Sequence, residues 1–187
     1  MIRKGQTIEN PVTGEKMTFL QTSAETRGEW VLIELRAEPG GAVAAPHVHP
    51  AQGERFEVVS GRLGAKVGRK TVELGPGESV SVKQGQAHTW WNAGDDEVHF
   101  VCEVRPALQF ESLIETMFSL AADGKTNKKG MPNPLRLAVI ANAHFDTVQL
   151  PFPPAILQRI GLALGAPAGR LLGYTPTYAP EGVPVLA

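Results

Sequence analysis

The sequence predicts an all-β barrel followed by a C-terminal α-helical extension, and three observations predict it. Up to residue 105, short runs rich in β-branched and aromatic residues alternate with glycine turns at close spacing. Within that region His47, His49, Glu54 and His88 are spaced as the ligands of a metal site. After Pro106 the apolar spacing changes to that of amphipathic helices. The expected organisation is a barrel domain over residues 1–106 and a helical, proline-rich extension over 107–187, packed on the barrel or on a partner subunit.

Composition narrows the function classes. A chain of 187 residues, 42% hydrophobic and 20% charged, suits one compact domain with an extension. A net charge of -1 provides no basic field for nucleic acid or for an acidic membrane surface. No window of about 20 uninterrupted apolar residues exists, so no membrane-spanning helix is expected. Residues 1–11 lack the apolar run of a signal peptide. With Cys102 as the single cysteine an intrachain disulfide is excluded, and a reducing cytoplasm is the simplest location.

The elements follow in order. Residues 2–9 and 16–22 flank a proline-and-glycine loop at 10–15, the arrangement of a hairpin. Residues 23–29 form a polar turn. Residues 30–38 read as a strand with apolar residues on both faces, Val31, Ile33 and Leu35 against Trp30 and Leu32, so its inward face is open. Beyond Gly41, residues 55–60 alternate, placing Glu54, Phe56, Val58 and Ser60 on one face. Residues 63–67 and 70–74 form a hairpin about Gly68-Arg69, and 79–82 a short strand. His88, Trp90 and Asn92 share a face. The last strand, 98–105, sets Val98, Phe100, Cys102 and Val104 against His99, Val101 and Glu103.

In the second half, residues 110–122 carry Phe110, Leu113, Ile114, Met117, Phe118 and Ala121 at helical spacing, ended by Asp123-Gly124. Pro134 suits the first turn of a helix reaching about Ala143. Residues 145–154 are proline-rich and irregular. A third helix is expected over 155–164, stopped before Pro167, with 168–187 mostly coil.

The chemistry gathers in the barrel. Residues i and i+2 of a strand share a face, so His47 and His49 project side by side, roughly 6.6–7 Å apart at Cα. Two imidazoles so placed can meet one ion at about 2.0–2.1 Å each. Glu54 adds a carboxylate once the chain turns back, and His88 a third nitrogen. Three of the five histidines fall in these two segments. Zinc held by four protein ligands would be closed and structural, whereas a six-coordinate ion would keep two open positions. The ligand set suits one divalent transition metal, Fe, Mn, Ni, Co, Cu or Zn, without choosing among them.

These residues also match a known pattern. Gly41-x5-His47-x-His49-x4-Glu54-x6-Gly61 resembles the first cupin motif at every fixed position. Gly77-x5-Lys83-x-Gly85-x2-His88-x3-Asn92 resembles the second, with Lys83 where the family usually has proline. The resemblance covers roughly residues 16–106. It implies a double-stranded β-helix, or jelly-roll, barrel with His47, His49, Glu54 and His88 as metal ligands. Cupins serve many reactions, so the family implies a fold and a site but not an activity.

The functional expectation is a metal-dependent oxygenase acting on a small, partly apolar molecule that chelates through oxygen, with Glu54 as ligand and proton acceptor. Only the ligand set is similar to the flavonol and diketone dioxygenase branches. The alternatives are a non-catalytic small-molecule binding or sensing module and a metal-dependent isomerase or lyase. Phe56, Val58, Trp90, Phe100 and Cys102 are candidates for the substrate pocket, with barrel core as the competing role. Cys102, on an alternating apolar strand without an activating base, is not expected to be a redox nucleophile. His99 is expected on the outer face and His144 in a structural role. Lys125, Lys128, Lys129 and Arg136 are expected to form a solvated basic loop. Apolar Trp91 and Val59 on the outer sheet faces suggest a homodimer.

Overall fold

A computed structural model describes residues 2–179. Its strands are β1 (Thr7–Asn10), β2 (Glu15–Gln21), β3 (Val31–Ala37), β4 (Gly53–Ser60), β5 (Leu63–Val67), β6 (Lys70–Leu74), β7 (Ser79–Val82), β8 (His88–Asn92) and β9 (Val98–Arg105). One sheet has the order β1-β2-β3-β9-β4-β7 and the other β6-β5-β8, with antiparallel pairing throughout. Apolar residues of both inner faces, among them Phe19, Ile33, Leu63, Phe100 and Val104, are fully buried. This is the expected jelly-roll barrel.

Register decides the face that pattern left open. β3 pairs with β9 so that Ile33 lies opposite Cys102 and Leu35 opposite Phe100. The inward set is therefore Val31, Ile33, Leu35 and Ala37. The first expected strand is shorter than residues 2–9, because a turn at Arg3–Gln6 intervenes, with Gln6 N–H donating to the Arg3 carbonyl at 3.0 Å. On the outside, Gly64 of β5 lies opposite Trp91 of β8. A Cβ at Gly64 would stand 2.2 Å from the indole Cε2, so the ring rests on bare backbone. Trp91 is thus half-covered by its own sheet, while Val59 is exposed.

The helices are α1 (Phe110–Ala122), α2 (Pro134–Ala143) and α3 (Ala155–Leu171). α1 sends Phe110 and Phe118 into the barrel core, and its Leu113 and Leu120 pack with Ile140 of α2. Asn133 caps α2, its side chain accepting from Arg136 N–H at 3.0 Å, and Pro134 occupies the first turn, where a missing N–H costs nothing. Between barrel and α1, Gln52 is completely buried and donates to the carbonyls of Pro106 and Ala107 at 2.8 and 2.9 Å.

α3 corrects an expectation. Pro167 does not end it: the helix continues to Leu171 with the proline inside. The cause is tertiary. A Cβ at Gly169 would stand 2.5 Å from the Leu135 carbonyl oxygen, so α3 lies close against the α2 backbone and packing holds the turn that proline weakens. The opposite side leaves Ile156, Ile160 and Leu164 exposed. Of the coil expected after this point, residues 180–187 lie outside the described residues.

Candidate metal centre

Two backbone hydrogen bonds set the geometry. His47 N–H donates to the His88 carbonyl at 3.0 Å and His88 N–H to the His47 carbonyl at 2.9 Å. This narrow antiparallel pair aligns the two rings, whose centroids stand 4.2 Å apart. His49, two residues on, brings its ring to 4.9 Å from that of His47. Glu54, at the start of β4, is buried between them. One donor atom from each of the four residues lies within 4.8 Å of the other three. The turn before β8 holds without the usual proline. Lys83 N–H donates to Gln86 Oε1 at 3.1 Å, a bond that proline could not make, and Gly85 N–H donates to the His49 carbonyl at 2.8 Å.

The tautomers are fixed from behind. Nδ1 of His47 lies 3.0 Å from the Ala45 carbonyl, that of His49 2.5 Å from Thr147, and that of His88 3.1 Å from Gln86. A carbonyl accepts only, so each Nδ1 carries a proton, and in the neutral ring each Nε2 is the atom that presents a lone pair inward. Glu54 Oε2 lies 2.7 Å from His88 Nε2, and Oε1 3.3 Å from His49 Nε2. Despite those distances, His49 Nε2, His88 Nε2 and Glu54 Oε2 are buried without a properly directed hydrogen bond. Ring nitrogens and a carboxylate that converge without a directed hydrogen bond fit a divalent cation, and backbone carbonyls behind the imidazoles are the usual support for metal-bound histidine. The residues present fit the metal.

Charge without the cation is uneven. Burial pushes the His47 imidazole down to about 4, with the neighbouring His88 and His49 acting in the same direction. Burial opposes ionisation of Glu54, but His49 and His88 outweigh it and hold the carboxyl far below its usual range. For His49 burial is likewise outweighed, chiefly by the Glu54 carboxylate, and its pKa rises.

The centre opens into a cavity of about 500 Å³. Phe56, Trp90 and Cys102 line it, together with Met17, Ile33 and Leu35. Val58 and Phe100 are buried behind that wall, and the Phe100 ring supports Trp90 and Phe56 edge-on at 5.0 and 5.8 Å. The Cys102 thiol is pushed well above its ordinary value by burial, so it offers no thiolate. His99 faces Glu34 at 3.2 Å on the outer side, and His144 donates from Nδ1 to the Ile140 carbonyl at 2.9 Å. Of the four residues expected in a basic loop, Arg136 lies instead inside α2, over the Tyr174 ring at 4.5 Å, and Lys125 lies over the Tyr178 ring at 4.5 Å.

The amphipathic pattern of the second half points to helices packed on the barrel as a wall or lid, but it does not show that this half also supports a metal ligand. All three helices contribute to the cavity wall. Residues 147–149 return to the barrel, where Val48 and Gln149 exchange backbone hydrogen bonds at 2.8 and 2.9 Å. That return sets the Thr147 carbonyl against His49. No residue type signals it, because every residue carries a carbonyl.

Residues 33–104 match the family model described as the cupin domain. Among solved structures, KdgF from Halomonas sp. is 14% identical, with a TM-score of 0.50, covering 59% of this chain and 94% of that one. An RmlC-like cupin from Shewanella frigidimarina NCIMB 400 is 17% identical, with a TM-score of 0.50, covering 58% of this chain and 89% of that one. At such identities these likenesses speak for the fold. No curated protein matches the chain.

Proposed function

The chain belongs to the cupin superfamily through its domain at residues 33–104, and from that premise we propose that it is a metal-dependent oxygenase. Its substrate is a small, partly apolar molecule that chelates through oxygen. The observation that carries this reading is the opening of the His47, His49, Glu54 and His88 cluster into an apolar cavity that, among the described residues, no lysine or arginine lines. Sugars and phosphates call for cationic or densely hydrogen-bonding walls, so the lining favours an apolar substrate over the isomerase and lyase alternatives. A divalent metal held by these four residues would supply Lewis acidity and, where the ion is redox-active, chemistry towards dioxygen.

The chain's own residues do the rest. The three carbonyl-bound imidazoles hold their orientation before any ligand enters, so little reorganisation is needed. Glu54 is ionised at neutral pH and stands at the metal end of the cavity, placed to accept the proton that an enolisable substrate loses on chelation. Phe56, Trp90 and the helices exclude water, which strengthens charge interactions inside.

The test is oxygen uptake. Protein loaded separately with Fe(II), Mn(II), Co(II), Ni(II) or Zn(II) is exposed to β-diketones of increasing chain length, with binding followed by calorimetry. The expected result is substrate-dependent uptake with at least one redox-active metal and none with zinc. Tight, metal-dependent binding with no uptake for any metal would replace the oxygenase reading with that of a binding module.

A further inference from the structure

Glu15, at the start of β2, is a buried carboxyl that the metal centre does not use. It is 3% exposed and lines the same cavity as His47, His49 and Glu54. The pairing of the strands gives its position. Glu15 lies opposite Ala37 of β3, while Glu54 lies opposite Val104 of β9, which itself lies opposite Val31 of β3. The two carboxyls are thus six residues apart along the strand direction, on the order of 20 Å. Between them, inward-facing Met17, Leu35, Ile33, Cys102 and Phe56 make a continuous apolar wall.

A structural role for Glu15 in the β1–β2 turn does not account for it. Thr13 Oγ1 donates to Glu15 Oε2 at 2.5 Å. Asn10 already organises the turn, its Oδ1 accepting from Val12 N–H at 3.0 Å and Thr13 N–H at 3.3 Å. Among the described residues the Thr13 hydroxyl is the carboxyl's side-chain hydrogen-bond partner, and one hydroxyl leaves most of a carboxyl's capacity for a ligand. Burial, partly offset by Thr13, pushes the group up to about 7, so keeping it ionised there costs stability. A buried carboxyl at the edge of an apolar cavity, not needed by its own turn, is suited to a ligand.

We propose that Glu15 is the second polar end of the cavity and binds the hydrogen-bond-donating terminus, a hydroxyl or amide, of an elongated ligand. The ligand's oxygen-chelating end sits at the His47/His49/Glu54/His88 centre. The substrate class is therefore an amphiphile polar at both ends with an apolar middle. This rests on the reading of the histidine cluster as a metal centre.

The probes are straight-chain carboxylates of 8 to 16 carbons and their ω-hydroxy counterparts, titrated calorimetrically below their micelle concentrations into the full chain loaded with Ni(II), an ion that takes six ligands. At one matched length the ω-hydroxyl should tighten binding about tenfold, the effect of one buried hydrogen bond to a carboxyl. Glu15→Leu should abolish that gain and Glu15→Gln keep part of it. Glu15→Met serves as a second apolar variant if the leucine protein does not fold. A hydroxyl gain at no length, or one that survives in the apolar variants, overturns the proposal. If the carboxylates bind equally well with and without nickel, the metal-centre reading fails instead, and a Glu15-dependent hydroxyl gain would still stand.

Discussion

Three imidazoles that share one arrangement do not share one affinity for protons. With its pKa lowered to about 4, His47 is neutral throughout the physiological range, whereas His49 is held protonated beyond its ordinary value by Glu54. A metal needs neutral imidazole, so the proton on His49 must leave before the ion binds. Affinity should therefore fall as pH drops below the raised His49 value, by about tenfold per unit if one proton is displaced. Calorimetric zinc titrations in buffers of different ionisation enthalpy read that number directly, and release of three protons near pH 6 would contradict the assignment. His47→Ala and His88→Ala should each weaken binding by on the order of a hundredfold or more, since even the outer partners of metal ligands are worth 10–100-fold. These ligands were legible in the sequence because strand geometry turns a His-x-His spacing into a shared face. The carbonyls of Ala45, Gln86 and Thr147 were not, since nothing distinguishes them from any other carbonyl before the chain folds. Glu15 was overlooked because it sat in what read as a loop.

Elements were legible where one signal governed them. The hairpin about Gly68-Arg69 and the strands carrying His88 and Cys102 follow glycine turns and an alternation of period two. β3 was ambiguous in isolation, with apolar residues on both sides, and only its pairing with β9 resolves which side is core. α3 shows a local signal overridden. Proline ends helices because it lacks an N–H and crowds the preceding turn, but here the glycine face of α3 lies against α2 and holds it. Gly169→Ala is therefore expected to destabilise by about 1–3 kcal/mol, since the new methyl would meet the Leu135 carbonyl oxygen rather than a movable side chain. Gly161→Ala is the control. Nothing lies within 4 Å of the added carbon, so the change should be neutral or stabilising by about 0.5–1 kcal/mol. Equilibrium denaturation of the two variants checks the pair, and equal effects would mean that contact with α2 does not hold the helix.

For the whole molecule, the question is whether the barrel of residues 1–106 stands alone. The cupin match ends at residue 104, ahead of every helix, so the sequence offered no motif for the second half. Yet the two halves share a core and a site. Phe110 and Phe118 belong to the barrel's own hydrophobic cluster, Ser23 N–H donates to Glu111 at 3.0 Å, and Val48 pairs with Gln149. Burial of one phenylalanine is worth about 1.5–3 kcal/mol, so losing both is a large part of a typical domain's stability of 5–15 kcal/mol. Truncation after Pro106 should therefore give a barrel that aggregates or melts well below the full chain. It should also bind zinc more weakly, because His49 loses the carbonyl that fixes its tautomer. The second effect separates two meanings of extension. A mere cover would change solubility and leave metal affinity intact. A segment that completes the centre would change both, and restoring solubility with a polar substitution on the uncovered face would not restore the metal. A truncated barrel that stayed soluble, melted at the same temperature and bound zinc equally well would make residues 107–187 an independent module.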